Sequence, residues 1–513
     1  MRLLVLPLLL GSAVASASGF YLSENGSKAL LMGGAFAGQA DDLSAIQHNP
    51  AGLAQLTGFN FLLDGQLVFH DINYQRYDPG FDPASPPNAL ANGVQNTGGP
   101  FVVPMLGAGF GFRLLDRTFF VGAGVYGPPA DGHYQFPTPN YETDAMGRPV
   151  ENARKFAPQR YSLVSNTIYV VYPSLSLAAE VIPKRFSLGV SLQPVIASFQ
   201  FAQSVTSINI LGITPSTQAQ EDPAYDSLVR VNLPLQYVQF TGVFGAMVKA
   251  TDWLQFGVSF RPQVMINARG TLEIEPGPFA RQVATVQGNQ TSLSLMLPAE
   301  LKVGVHVQPL AKLGINFDFI YQGWQSVQEI VLHPEDVTLT LMGNTEKVQP
   351  FKIQKRWKAA YNFRLGASYA VFPWLSLYAG GWYETGAIPN EYIGVDFLHF
   401  ERFVLTGGVG VKFFGLELVV GAAGSPAMTY AVTQSEVRAG TTQPEPPGPV
   451  VGAGVYTSGH YMVTAGIRGQ FGGAKPASTP VEPAPTPAPA PVETAPAADP
   501  APAPAAAEEA PKS

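Results

Sequence analysis

A chain of 513 residues with no cysteine has no disulfide to close and no thiolate for metal or nucleophilic chemistry. Charged residues are 13%, against about 25% in typical soluble domains, yet a mean hydropathy of +0.10 and the lack of an apolar run of about 18 residues beyond the N-terminus argue against a helical membrane bundle. The net charge of −7 argues against a nucleic-acid partner.

The first residues read as a secretory signal. Arg2 supplies the positive start, Leu3 to Leu10 the apolar core, and Ala15-Ser16-Ala17 a small-x-small cleavage site. This predicts a signal peptide over 1–17 and a mature chain from Ser18. Residues 18–57 do not alternate in polarity. They are rich in Ala, Gly, Leu and Ser, then run through Asp41-Asp42 to Asn49-Pro50-Ala51. Asp41 or Asp42 caps a short helix in this reading, and Pro50 ends it. The segment precedes the first strand, so it is expected to sit as a plug inside whatever the strands enclose.

From Thr57 to Phe471 the chain alternates. Leu106, Ala108, Phe110, Phe112 and Leu114 alternate with Gly107, Gly109, Gly111 and Arg113. Leu254, Phe256, Val258 and Phe260 alternate with Gln255, Gly257, Ser259 and Arg261. Successive strand side chains point to opposite faces. Such segments are apolar on one face and small or polar on the other, and long enough for the 9–11 residues of a transmembrane strand. About fourteen are expected, making an all-β transmembrane antiparallel barrel over 58–471. The long Pro/Gly-rich connections Asp78 to Pro100, Pro128 to Pro158 and Thr206 to Asp226 read as extracellular loops. In the last strand Tyr461, Val463, Ala465, Ile467 and Phe471 share one face, and Met462, Thr464, Arg468 and Gln470 the other. It resembles the C-terminal signal read by the barrel assembly machinery, with a terminal aromatic. Residues 472–513 are a Pro/Ala-rich tail with almost nothing to bury, expected to be a disordered periplasmic spacer.

Other patterns carry less. Gly122-Ala-Gly-Val-Tyr-Gly127 spells a dinucleotide fingerprint, but Pro128-Pro129 follow where that motif needs a helix. The seven His residues show no close ligand spacing, so no metal site is expected. Trp357, Trp374, Trp382 and Tyr383 read as membrane-interface aromatics.

The segments Gly19-Phe-Tyr-Leu-Ser-Glu-Asn, Gly33-Gly-Ala-Phe-Ala-Gly38, Asp41-Asp42 and Asn49-Pro-Ala51 resemble the N-terminal hatch of the FadL/TodX/OmpP1 family. Tyr172-Pro-Ser-Leu-Ser-Leu177, Leu297-Pro-Ala-Glu-Leu-Lys-Val-Gly304, Asn316-Phe-Asp-Phe-Ile-Tyr-Gln-Gly-Trp324 and Arg356-Trp-Lys-Ala-Ala-Tyr-Asn-Phe-Arg-Leu-Gly366 follow in the family's order, over about residues 19–471. The resemblance implies a monomeric fourteen-stranded outer-membrane transporter for long-chain fatty acids or other hydrophobic compounds. It implies a hatch in which Phe20, Phe36, Asn49, Pro50 and Ala51 act, and a kinked third strand opening sideways into lipid. That strand ends here at Tyr126-Gly127-Pro128-Pro129, so the opening is expected at Gly127, Pro128 and Pro129. Fatty-acid-carrying members meet the carboxylate with basic side chains. Phe186 to Val229 contains no Lys or Arg, which leaves Arg160, Lys352, Lys355 and Arg356 as possible carboxylate partners.

The expected function is passive transport of hydrophobic small molecules across the outer membrane, with membrane lipid and the assembly machinery as further partners. No cofactor is expected. A general porin would not carry a plug, and a lipid hydrolase would need a Ser/His constellation that no motif supplies.

Overall fold

A computed structural model describes residues 25–77, 93–127, 133–138, 157–206, 226–278, 280–341, 343–398, 401–439 and 450–473. The signal segment, Phe20, Pro128, Pro129 and nearly all of the Pro/Ala tail lie outside these residues.

Fourteen strands form the ring. They are β1 (Gly58–Arg76), β2 (Phe101–Leu114), β3 (Arg117–Tyr126), β4 (Ser165–Ile182), β5 (Phe186–Thr206), β6 (Asp226–Lys249) and β7 (Leu254–Arg261). The second half is β8 (Glu300–Leu310), β9 (Leu313–Gln322), β10 (Ala360–Phe372), β11 (Leu375–Glu384), β12 (Arg402–Phe413), β13 (Leu416–Val432) and β14 (Gly454–Phe471). Each pairs antiparallel with its neighbours. The ring closes between β1 and β14, in register from Phe59↔Phe471 to Arg76↔Gly454. Closure leaves no free sheet edge, so every wall strand finds partners on both sides in a solvent that offers no hydrogen bonds.

The faces are inverted relative to a soluble protein. Leu63, Phe110, Leu175, Phe244, Phe317, Leu405 and Val463 are exposed, while Asp64, Gln66, Lys302, Asn316, Asp318, Arg364 and Thr464 are buried. An apolar belt of that size belongs in hydrocarbon, not water. The alternation read in the sequence therefore points its apolar parity outward. Two of the four expected interface aromatics do not follow. Trp374 and Tyr383 are exposed, but Trp357 and Trp382 are each 1% exposed. Trp382 lies on the lumen-facing parity of β11 with Gly380. Trp357 sits before β10 against Trp324 and Phe397.

Short turns join β2–β3, β4–β5, β6–β7, β8–β9, β10–β11 and β12–β13 at one end. Leu115 and Asp116 (φ 52° and 58°) and Phe414 and Gly415 (φ 47° and 81°) give the positive-φ pairs whose twist suits two-residue hairpins. This is the periplasmic end of such barrels, and β1 begins and β14 ends there. At the other end four further segments extend β7 to β10. They are Val264–Pro276, Gln290–Leu297, Glu329–Pro334 and Phe351–Gln354, which pair with one another in a raised lip.

The N-terminal segment fills the ring near the periplasmic end. It holds two short helices, α1 (Ser27–Leu31) and α2 (Ala45–His48), and a 3-10 turn (Pro50–Gln55). Gly33 and Gly34 (φ 65° and 67°) end α1. Gly34 N–H reaches back to Ala29 O at 2.9 Å, a closure only a left-handed glycine makes without strain.

Candidate functional site

The plug is seated on glycines. A Cβ at lumen-facing Gly111, Gly189, Gly245, Gly257, Gly304, Gly366 or Gly380 would strike the main chain of Leu56, Pro50, Ala51, Ala37, Gly38, Met32 or Gly33 respectively. These glycines stand on β2, β5, β6, β7, β8, β10 and β11, so the plug sits against at least half of the ring. Polar side chains complete the seat. Asp318 accepts from the amides of Phe36 and Ala37 at 2.8 and 2.7 Å. Ser27 donates its amide and hydroxyl to Asp64 at 2.7 and 2.8 Å. Ser259 and Ser187 donate to the carbonyls of His48 and Ala51 at 2.6 and 3.0 Å. Main-chain groups that have left regular structure are thereby satisfied by the wall.

The residues expected in the hatch are placed as follows. Asn49 donates from Nδ2 to the carbonyls of Ala37 and Ala246 at 2.9 and 3.2 Å, and its Oδ1 accepts from Ala51 N–H. It ties two parts of the plug to β6 and caps the turn that Pro50 starts. Ala51 and Phe36 are fully buried, and Pro50 is buried. Asp42 accepts from Ser44 N–H at 2.8 Å ahead of α2, and its other oxygen binds Arg468 of β14 at 2.5 Å. Arg468 also binds Glu417 at 3.0 Å. Asp41 takes the other role, pairing with Lys28 at 2.6 Å. Burial pushes His48 down to about 3, so its neutral ring donates from Nε2 to Asn25 O at 2.8 Å.

Burial alone would raise the Asp41 carboxyl. The Lys28 ammonium and its hydrogen bonds outweigh burial and hold the group far below its ordinary 3.8. Burial likewise opposes the Lys28 charge, and Asp41 keeps it above its ordinary range. A depressed folded-state carboxyl contributes stability above its unfolded value and loses it as pH falls toward the folded one. The Lys28–Asp41 pair is therefore expected to keep its contribution to plug seating above the ordinary carboxylate value and to lose it as pH falls below that value. Planar-bilayer recordings check this. Openings that begin near neutral pH would mean that a group other than this pair holds the plug.

Above the plug the lumen has two sides. Val68, Phe101, Val103, Met105, Phe120, Tyr126, Tyr172 and Val195 make an apolar side on β1 to β5. On β7 to β10 stands a buried charged group that sequence reasoning passed over. Glu300 lies 3.2 Å from Lys302 and 3.5 Å from Arg261. Asp318 and Arg364, both buried, stand on the next two strands. The signal was available, since a charge at lumen parity inside a strand otherwise needs a buried partner.

The four expected carboxylate partners do not converge. Arg160 is buried against Asp226 at 2.8 Å. Lys352 is exposed, 3.6 Å from Glu329. Lys355 is paired with Asp396 and lies over the Phe397 ring. Arg356 lies over Tyr392.

β3 pairs with β2 and β4 as far as Met105↔Tyr126 and Tyr126↔Tyr172, and β4 is paired again at His133↔Thr167. Gly127 is the first residue past the last pair. Just below, on the lipid face, lies an apolar groove of about 770 Å³. Its rim includes Leu63, Leu106, Val125, Leu175, Leu192 and Phe240, with small residues at its centre, and Gly107 and Gly124 form its thin floor. Behind that floor stand Ile46 and Leu43 of the plug.

The profile of a family described as outer membrane protein transport protein (OMPP1/FadL/TodX) matches residues 8–459. Among solved structures, a Pseudomonas aeruginosa FadL homologue is similar at TM-score 0.66 and 16% identity, over 88% of this chain and 100% of that one. The Ralstonia pickettii toluene transporter TbuX is similar at 0.58 and 15%, over 88% and 99%. The P. putida toluene transporter TodX is similar at 0.59 and 15%, over 88% and 99%. No curated protein matches the sequence. The chain belongs to the OMPP1/FadL/TodX family of outer membrane transport proteins, a β-barrel of the outer membrane and not an enzyme.

Proposed function

We propose that this barrel carries neutral, apolar small molecules inward from the extracellular mouth and releases them sideways into the membrane. The observation that supports this most is the seating of the plug. Contacts with seven strands close the straight path, while the described ladder of β3 ends at Tyr126 and an apolar groove lies on the lipid face of β2 to β4. An apolar solute gains about 25 cal/mol per Å² of surface kept from water. A route from apolar lumen to lipid preserves that gain, and a route through the plug into the periplasm forfeits it. Two similar structures are toluene transporters, which accords with a neutral ligand.

One observation favours an acid instead. Arg261, Lys302 and Arg364 stand buried in one group with Glu300 and Asp318, and buried cations are the groups a ligand carboxylate would meet. Binding of a fatty acid and its methyl ester to the purified protein in detergent decides the point. The expected result is that the ester binds at least as well. A preference for the free acid that disappears in Lys302→Gln, or on neutralising Arg160, Lys352, Lys355 or Arg356, would establish the acid reading.

A further inference from the structure

We infer that the wall has an inlet between β6 and β7, through which neutral, apolar molecules dissolved in the outer leaflet enter the lumen; this rests on the transport reading above and adds the membrane itself as a source. β6 pairs with β7 from Lys249↔Gln255 to Phe244↔Phe260, and with the lip segment Val264–Pro276 from Asn232↔Thr271 to Ser227↔Pro276. Between these two ladders all residues are described, and Leu233 to Val243 make no ladder pair with Arg261 to Gly270. Each side keeps its other neighbour, β6 pairing with β5 and the lip segment with Gln290–Leu297. The two strands therefore part from each other without leaving the wall. Pro234 and Pro262 stand in the parted stretches and have no N–H to give a ladder.

Side chains take over part of what the ladder gives up. Gln236 donates from Nε2 to Arg269 O at 2.6 Å and accepts from Arg269 N–H at 3.0 Å. It reproduces, one side chain wide, the pair of bonds that two main chains exchange in a ladder. Gln239 Oε1 accepts from Phe240 N–H at 3.0 Å. Edge groups of the main chain thus find partners while the strands stay apart. The β6–β7 ladder stops short of the about 9–11 residues that cross a membrane, so the inlet begins inside hydrocarbon and faces the outer leaflet. Tyr237, Phe240 and Met265 are exposed on its lipid side, and the apolar groove described above reaches Phe240. On the inner side Val238, Ile266 and Ala268 belong to the apolar interior. Leu233 to Val243 and Pro262 to Ala268 carry no charged residue. An apolar molecule meets apolar surface on both sides and leaves hydrocarbon without entering water, whereas a charged one finds no partner along these stretches.

The chain has no cysteine, so introduced thiols report on the inlet. In the intact protein in lipid nanodiscs, Ala268→Cys is reacted with pyrene maleimide, a neutral apolar probe dissolved beforehand in the bilayer. Gln236→Ala removes the two bonds across the inlet and should speed this labelling roughly tenfold, the population effect of one to two net hydrogen bonds. An unchanged rate overturns the inlet. Uptake by cells then shows whether the inlet carries traffic. In protein with Gln236→Cys and Arg269→Cys, a short bis-maleimide should bridge the two strands, and the probe is N-phenylnaphthylamine, also neutral and apolar. Expected results are normal uptake before bridging, loss of most of it afterwards, and unchanged binding of the probe to the bridged protein in detergent. Uptake that survives bridging overturns the inlet and leaves the transport reading standing. Wild-type cells that take up no more probe than cells lacking the protein overturn the transport reading, and the labelling rate then decides the inlet alone. If the double-cysteine protein does not fold, Gln236→Ala serves in the uptake assay. Faster uptake supports the inlet, and unchanged uptake refutes it.

Discussion

Removing Ser18 to Leu56 is expected to turn an electrically silent barrel into an ion-conducting one. The ring closes through β1 and β14 without any help from the plug, so the wall should survive the deletion. What remains inside is a lumen lined by Asp64, Asp318, Arg468, Glu417 and Ser259. All are polar and partnered with the plug or with each other. Once the plug is gone water hydrates them, so they need no buried partner. The measurement is stepwise conductance in planar bilayers from protein that still shifts on heating in gel electrophoresis. Folded, heat-modifiable protein that stays silent would mean that the loops, not the N-terminal segment, close the channel.

The second large effect should come from one atom position. Gly366→Leu places a side chain on β10 where the carbonyl of Met32 lies against the wall. Overpacking a core costs about 1–3 kcal/mol when side chains can shift. Here the obstacle is main chain, held on both sides by Gly380 and Thr406 contacts. The plug should lift locally, and the variant should leak ions while remaining folded. Gly65→Ala is the control, because no heavy atom lies within 4 Å of its added carbon. Equal behaviour of the two variants would mean that the plug tolerates displacement and that its seating does not close the channel.

Much of this architecture could be read from residue order. Strand periodicity is local, and hydrocarbon imposes one rule on every strand, so Leu106 to Leu114 and Tyr461 to Phe471 reveal their faces alone. A strand count near fourteen and an all-β outer-membrane barrel follow from that repetition. The plug was legible for the opposite reason: residues 18–57 break the period. The end of its second helix was also local, since Pro50 follows α2 closely. Lumen glycines were visible as small residues, but not as the plug's seat.

Partnerships across the ring were not legible. Ser27 with Asp64 and Thr464, or Arg468 with Asp42, join positions 37 to 437 residues apart. Only closure of the barrel brings them together. Trp357 and Trp382 looked like interface aromatics because composition does not say which side of a wall a ring faces once regular pairing ends. Arg160, Lys352, Lys355 and Arg356 read as possible carboxylate partners, and the fold sets each against a different neighbour, while it gathers Arg261, Lys302 and Arg364 with Glu300 and Asp318. Which charges gather depends on neighbours in space.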